Sequence, residues 1–151
     1  METRGRGRAA PPLLVRRAVP ACEKHVMALL REVPIDPQEM ADLVQQRAVL
    51  VLSDVTLPRS APPVAAVAFR FDRPAKTAQL VGIGVAGPMR RQGLGRRLLT
   101  GALMVLRAEG FERVQAWAGP GGAASLLASA GFVAEGDAAH ADDRCRFLLM
   151  L

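Results

Sequence analysis

The stretch from Leu80 to Leu99, LVGIGVAGPMRRQGLGRRLL, carries two glycine motifs almost back to back. The first, residues 82–87, reads G-x-G-x-x-G, and the second, residues 90–97, reads RRQGLGRR. Loops with either pattern can bind phosphate groups when a helix follows them. The position of each motif relative to its neighbouring strand and helix therefore decides both the fold and the site.

The first motif lies inside a predicted strand, residues 78–85, and not after one. A dinucleotide-binding fingerprint requires a strand, a tight turn through the glycines and a helix that begins at once. Here the residues after Gly87 are Pro-Met-Arg-Arg, which do not open a helix. We interpret Gly82 and Gly84 as structural, because glycines inside a strand mark a bulge or a close approach of another backbone.

The second motif directly precedes the most regular amphipathic segment of the chain, residues 94–109. Gly93 and Gly95 leave the backbone accessible, and a helix start offers unpaired N–H groups and the positive end of its dipole. Arginines near a helix start oppose that dipole unless an anion compensates them. The four arginines of the motif are Arg90, Arg91, Arg96 and Arg97. The motif therefore predicts a phosphate-binding loop, although the Walker sequence G-K-[ST] is absent from it.

The net charge of +6 is concentrated in two segments: residues 1–8 contribute +2, and the four arginines of the second motif contribute +4. With only 4% aromatic residues and no tyrosine, the chain lacks the spread charge and stacking side chains typical of a nucleic-acid surface. No apolar run is long enough to predict a membrane span. The two cysteines and two histidines show no metal-ligand spacing, so we expect no metal site and a cytoplasmic location.

Hydrophobic periodicity and turn signals predict a tail at residues 1–12 and one domain at residues 13–151. The order of elements is β-α-α-β-β-β-α-β-α-β-β. Predicted strands cover about residues 13–19, 48–53, 64–71, 78–85, 114–118, 132–135 and 144–151; predicted helices cover about residues 20–34, 36–47, 94–109 and 123–130. This order indicates the α+β class, with a mixed, mostly antiparallel twisted sheet of about six or seven strands and about four helices. We expect the final strand at a sheet edge, in a monomer or a homodimer.

This order of elements resembles the GNAT superfamily of N-acetyltransferases. The motifs that carry the resemblance are Arg90-x-x-Gly93-x-Gly95, between a strand and an amphipathic helix, and Gly131-Phe132 after a short helix. The resemblance covers about residues 13–151. It implies that acetyl-CoA is the cosubstrate and that an acetyl group moves to a primary amine, of a small molecule, a peptide or a protein, by direct attack in a ternary complex.

The resemblance also implies a role for each part of the Leu80–Leu99 stretch. The loop amides hold the pyrophosphate, and the pantetheine arm pairs with the strand before the loop, against bare backbone at its glycines. An N–H near Val85 polarises the acetyl carbonyl, an oxyanion-type role. The cofactor-binding residues that the resemblance implies are Ile83, Val85, Arg90, Arg91, Gln92, Gly93, Leu94, Gly95 and Arg96.

The catalytic acid and base stay open, because the chain departs from the family pattern. The positions of a frequent family Asn and Tyr hold Pro120 and Leu127, and the position near a family Glu holds Gln79. Ser125 is a candidate acid, and Glu32 is a candidate base. Further candidates are Asp36, Glu135, His140 and Asp142. A non-catalytic acyl-CoA-binding module with the same fold is the alternative.

Overall fold

Seven strands form one sheet in the order β1-β2-β3-β4-β5-β7-β6, within the part of the chain that the structure describes. The structure, a computed structural model, describes residues 12–89, 92–118, 122–135 and 145–151. The strands are β1 (Leu13–Arg17), β2 (Val49–Asp54), β3 (Ala65–Asp72), β4 (Thr77–Val85), β5 (Arg113–Ala118), β6 (Val133–Glu135) and β7 (Cys145–Met150). The helices are α1 (Glu23–Leu29), α2 (Pro37–Gln45), α3 (Leu94–Ala108) and α4 (Gly122–Ser129), with 3₁₀ turns at Pro20–Cys22 and Gly87–Met89.

The sheet is mixed and mostly antiparallel, as the sequence predicts. Of the strand pairs described, β4 and β5 alone run parallel, and α3 connects them. A parallel pair needs such a crossover, because a short turn cannot return the chain to the same end of the sheet. This crossover places the start of α3 next to the end of β4, where the Leu80–Leu99 stretch lies.

Each face of the sheet has its own hydrophobic core. Alternate residues of a strand point to opposite faces, so Leu50 and Leu52 of β2 join the core under α3 and α4. Val49 and Val51 join the core under α1 and α2. Strand β2 is therefore buried on both faces, which explains its almost continuous apolar sequence.

Helix α1 ends earlier than the sequence predicts. The expected helix extended to Pro34, but α1 ends at Leu29 and a tight turn follows, with the N–H of Val33 donating to the carbonyl of Leu30 at 2.8 Å. A proline disfavours the helical conformation of the residue before it. The helix therefore stops before Val33, and residues 30–36 form a connecting segment above the sheet.

The final strand does not lie at a sheet edge, and that expectation is wrong. Strand β7 lies between β5 and β6, pairing with all six residues of β5 and with three of β6. Both pairs are antiparallel, as expected for a closing hairpin. Strand β7 is longer than β6 and forms a ladder of six residue pairs with β5. The three-residue strand β6 is therefore left at the edge of the sheet.

At the other edge, arginine side chains cover two outward carbonyls of β1. Arg97 donates to the carbonyl of Leu13 at 2.7 Å, and Arg59 donates to the carbonyl of Arg17 at 2.6 Å. An edge strand with unpaired carbonyls invites pairing with another chain. These contacts reduce that tendency, and they give Arg97 a structural partner 84 residues away.

Candidate functional site

The parallel strands β4 and β5 separate halfway along their length. Their pairing covers only Thr77–Gln79 against Arg113–Gln115. Beyond Gln79, β4 stays paired with β3 as far as Val85, while β5 stays paired with β7. The two strands therefore open a wedge-shaped gap at their carboxyl ends, the place where open α/β sheets bind ligands.

A bulge in β4 lies at the start of this gap. The register with β3 shifts between Ala68 and Phe69, which pair with Gly82 and Leu80, so Val81 is the additional residue. A bulge bends its strand and increases the local twist. The bulge beside Gly82 confirms the first part of the prediction that these glycines mark a bulge or a close approach.

The close approach is confirmed at Gly84. A Cβ added to Gly84 would lie 2.1 Å from the carbonyl oxygen of Leu29, at the end of α1, and one added to Gly82 would lie 2.5 Å from Cγ2 of Val33. Both glycines therefore turn their open side toward α1. This side leaves no room for a pantetheine arm, because α1 and the turn after it occupy the space.

Backbone groups of β4 nevertheless point into the gap at Ile83 and Val85, the residues that alternate with the glycines. The N–H of Ala86 donates to the carbonyl of Val64 in front of β3, at 2.8 Å. Alternate residues of an antiparallel ladder direct both backbone groups to the same neighbour, so Gly84 also faces β3. The backbone groups of Ile83 and Val85 are consequently directed to the β5 side, where the strands have separated.

Helix α3 begins at the mouth of the gap with its amides exposed. Its N-cap is Gly93, with a left-handed φ of 73°, and no side chain caps the helix. The first intrahelical bond is donated by the N–H of Arg97 to the carbonyl of Gly93. Within the described residues, the amides of Leu94, Gly95 and Arg96 have no acceptor, and such groups at a helix start bind anions.

The side chains of Arg96 and Arg97, at the start of α3, point in different directions. Arg96 is exposed and lines the cavity described below, whereas Arg97 turns to the edge of β1, as described above. Arg90 and Arg91 lie outside the described residues, and Gln92 is exposed beside Gly93. Of the two motif arginines that the structure describes, Arg96 lies at the cavity and Arg97 does not.

A cavity of about 960 Å³ joins these features. Its walls are the end of α1 with the following turn, the carboxyl end of β4, the start of α3 and one side of α4. A Cβ added to Gly95 would meet Val85 Cγ2 at 3.5 Å and Leu126 Cδ2 at 3.8 Å. Gly95 therefore forms the narrow point where α3, β4 and α4 meet, and its missing side chain keeps this point open.

The candidate acid and base residues lie at different distances from this cavity. Glu32 lines it and is exposed, together with its neighbour Arg31. Ser125 is exposed on α4 and does not line it; the contacts from that helix come from Ala123 and Leu126. The structure therefore brings Glu32, but not Ser125, to the cavity.

The remaining candidates are more distant from the cavity or lie outside the description. Leu127 is 2% exposed and packs in the core under α3 and α4. Gln79 lies at the last paired position of β4 and β5. Glu135 forms an ion pair with Arg146 on the neighbouring strand, 2.7 Å from Oε1 to Nε. Asp36 accepts a hydrogen bond at 2.8 Å from the amide of Glu39 and so caps α2. Pro120, His140 and Asp142 lie outside the described residues.

Sequence reasoning missed the wall formed by the turn after α1. Residues 28–33 line the cavity, and of these only Glu32 was a candidate. The available signal was the alternation Gly82-x-Gly84 in a strand, which indicates that one face lies against another backbone. Nothing local identified which segment supplied that backbone.

Neither a metal cluster nor a membrane-spanning helix is found where the structure describes the chain. No three side chains of His, Cys, Asp or Glu come together there in an arrangement that could hold a metal ion. No described helix is long and apolar enough to cross a membrane.

Comparison with solved structures finds the same fold in several acetyltransferases. N-acetylglutamate synthase from Neisseria gonorrhoeae, solved with coenzyme A and N-acetyl-glutamate, superimposes with a TM-score of 0.73 at 15% identity over 92% of this chain. The match covers only 35% of that longer chain. A chain of the NatC complex bound to Gag peptide and CoA matches with a TM-score of 0.73 at 12% identity, covering 92% of this chain and 98% of that one.

A third structure, the ribosomal-protein-S18-alanine N-acetyltransferase from Escherichia coli, matches with a TM-score of 0.67 at 16% identity, over 91% of this chain and 93% of that one. No curated protein matches the sequence itself. The sequence model of the acetyltransferase (GNAT) family, however, matches residues 27–132, which include both glycine motifs, the cavity walls and Gly131-Phe132. With the fold and the family model in agreement, the chain belongs to the acetyltransferase (GNAT) family.

Proposed function

We propose that this protein is an acetyl-CoA-dependent N-acetyltransferase that moves an acetyl group to a primary amine by direct attack in a ternary complex. The observation that carries the proposal is the cavity of about 960 Å³, because it reaches from the open amides of α3 to the β4 backbone in the strand gap. One elongated cosubstrate with an anionic end and an amide-containing arm fits both ends of this space. CoA present in related structures supports the same cosubstrate.

The anionic end of the cosubstrate binds at the start of α3. The amides from Gly93 to Arg96 receive the pyrophosphate, and the Arg96 guanidinium at the cavity adds charge-assisted hydrogen bonds. Gln92 is adjacent, and Arg90 and Arg91 complete the same loop in the sequence. The helix dipole favours a negative charge at this position.

The pantetheine arm runs beside β4 in the gap. It pairs with the backbone of Ile83 and Val85, whose N–H and C=O groups are directed to the β5 side. Its length leaves the thioester at the cavity wall that the turn after α1 forms. Gly95 keeps the passage from the loop to the gap open.

The transfer forms a C–N bond between the amine and the acetyl carbon and breaks the C–S bond of the thioester. The amine must be neutral to attack, and its proton passes to Glu32, directly or through water. The N–H of Val85 polarises the acetyl carbonyl, and a backbone donor in that position needs no side-chain acid. The leaving thiolate takes a proton from solvent, because Ser125 does not line the cavity.

Ligands in related structures support an amine as the acceptor. Structurally related proteins were solved with N-acetyl-glutamate or with a peptide beside CoA. We propose that the domain spans residues 13–151, follows a tail at residues 1–12 and acts in the cytoplasm as a monomer or homodimer. No resident metal is part of the proposal.

The test compares Gly95→Val with Ala108→Val. The first substitution fills the narrow point between Val85 and Leu126, while the second introduces the same side chain at an exposed position at the other end of α3. We expect Gly95→Val to lose acetyl-CoA binding in calorimetry and acetyl transfer to an amine panel, with its melting temperature close to that of Ala108→Val. Undiminished acetyl-CoA affinity in a folded Gly95→Val protein would contradict the assignment of the cavity.

A non-catalytic acyl-CoA-binding module is the second candidate. The buried Leu127, at the position of the frequent family Tyr, favours it, because this position supplies no acidic hydroxyl. The two candidates separate in the wild-type protein and in Glu32→Gln. Acetyl transfer above the uncatalysed rate, lowered in Glu32→Gln with unchanged acetyl-CoA affinity, supports the enzyme; binding without transfer to any amine supports the module.

A further inference from the structure

Three arginines meet at the end of the sheet opposite the cavity. Strand β1 ends at Arg17, Arg47 lies two residues before β2, and Arg73 directly follows β3. These strands are antiparallel neighbours, so the end of β1, the start of β2 and the end of β3 lie at the same end of the sheet. We name this group of three arginines the basic corner.

The side chain of Arg73 is held in place by aromatic rings and a carbonyl. Its guanidinium carbon lies 4.9 Å from the ring centre of Phe71 and 5.5 Å from that of Phe111. Its Nη2 donates to the carbonyl of Gln46 at 3.3 Å, next to Arg47. Cation–π contacts of this kind fix a guanidinium without neutralising its charge.

The charges of the basic corner are incompletely balanced. Glu109, at the end of α3, forms an ion pair with Arg17. Among the ion pairs that the structure describes, this is the one that brings a carboxylate to the basic corner. Asp72 accepts instead from the amide of Ala75 at 3.3 Å within the β3–β4 turn. The corner therefore holds three guanidinium groups against one paired carboxylate.

Two further observations indicate that the corner needs an acceptor. The Nε of Arg17 is buried without a hydrogen-bond partner in the described structure, and an unsatisfied buried donor is destabilising. Burial, followed by the charges of Arg47 and Arg73, lowers the pKa of Arg17. The charges of Arg47 and Arg73 repel that of Arg17, and a bound anion would relieve this repulsion.

We propose that Arg17, Arg47 and Arg73 form a second anion site, which binds a small ligand bearing one or two phosphate groups. The three strand ends span two strand spacings, about 10 Å, which suits a short polyanion. Arg73 covers the rings of Phe71 and Phe111, so no aromatic platform is left there for stacked bases. A site at one end of α3, about 22 Å from the loop at its other end, binds independently of the cosubstrate.

Pyrophosphate titration followed by amide NMR tests this site residue by residue. Inorganic pyrophosphate is the probe, at constant ionic strength, and the resolved signals separate the basic corner from the loop at Gly93–Arg96. We expect saturable shifts of the Gln46, Arg47 and Arg73 amides in the wild-type chain. Without such shifts, the proposal is wrong.

Two variants distinguish a built site from general charge attraction. Arg47→Gln removes one positive charge from an exposed side chain, keeps that side chain polar and leaves the cavity untouched. Lys24→Ala removes one positive charge from an exposed position on α1. We expect Arg47→Gln to weaken pyrophosphate binding at the corner at least about tenfold, with the loop shifts unchanged, and Lys24→Ala to change neither. Equal weakening in both variants, or a single-stranded RNA that binds the corner more tightly than pyrophosphate, would overturn the proposal.

Discussion

Alanine at Gly84 tests the contact between α1 and β4 that shapes one wall of the cavity. The added Cβ would lie 2.1 Å from the Leu29 oxygen and 2.8 Å from its carbonyl carbon. The obstacle is backbone, so no side-chain rotation relieves it, and the end of α1 must move away by at least about 1.3 Å to reach ordinary contact. Overpacking of this kind costs about 1–3 kcal/mol, which lowers the melting temperature of a chain of this size by roughly 2–12 °C.

Two other glycines provide the scale for this measurement. A Cβ at Gly87 meets nothing within 4 Å, so Gly87→Ala is expected to leave stability unchanged or to raise it by about 0.4–1 kcal/mol. A Cβ at Gly82 meets only the side chain of Val33, so Gly82→Ala is expected between the two. The assay is urea unfolding with thermal melting of all three variants. Equal stability of Gly84→Ala and Gly87→Ala would refute the close packing of α1 on β4.

Three further predictions concern single contacts. Asp36→Ala removes the side chain that accepts from the amide of Glu39, and is expected to cost about 1 kcal/mol in urea unfolding. Hydrogen bonds from the Thr56 hydroxyl, and then from the Thr56 amide, lower the pKa of Asp54. The stability that this lowered pKa gives is present above the ordinary carboxyl pKa and is lost as the pH falls through the lowered value. Thr56→Val should therefore raise the pKa of Asp54 in an NMR titration. Leu127→Tyr places a larger, polar side chain in a position that is 2% exposed, so it should lower the melting temperature without raising any acetyl transfer rate.

The order of the elements could be predicted from the sequence because turn residues and periodicity are local signals. The Asp36-Pro37 pair starts α2 by a cap and a preset φ, as expected. The position of β7 could not be predicted, because the choice of pairing partner depends on the lengths of distant strands. Its apolar sequence fits a sheet edge and an interior position equally well, and its two ladders, with β5 on one side and β6 on the other, place it in the interior.

The site was predictable to the level of the loop and not to the level of single side chains. Gly93 and the helix after it indicate the proposed anion end, because a glycine before a helix and the direction of the helix can be read from the sequence. Arg96 and Arg97 are neighbours in sequence but lie about 100° apart around α3. One lines the cavity and the other reaches Leu13, a residue 84 positions away that no local pattern connects to it.

The two glycine motifs serve one cavity through different physical requirements. Gly82 and Gly84 have no side chain because α1 occupies that space, so a substitution there acts first on stability. Gly95 has ordinary room for a Cβ against protein atoms, so a small substitution there costs little in folding, and a larger one narrows the passage to the gap. Stability and cosubstrate binding should therefore respond to different glycines. A phosphate fingerprint in the first motif would make both stability and cosubstrate binding depend on Gly82 and Gly84, so measuring the two effects separately tests the assignment of the anion end to the second motif.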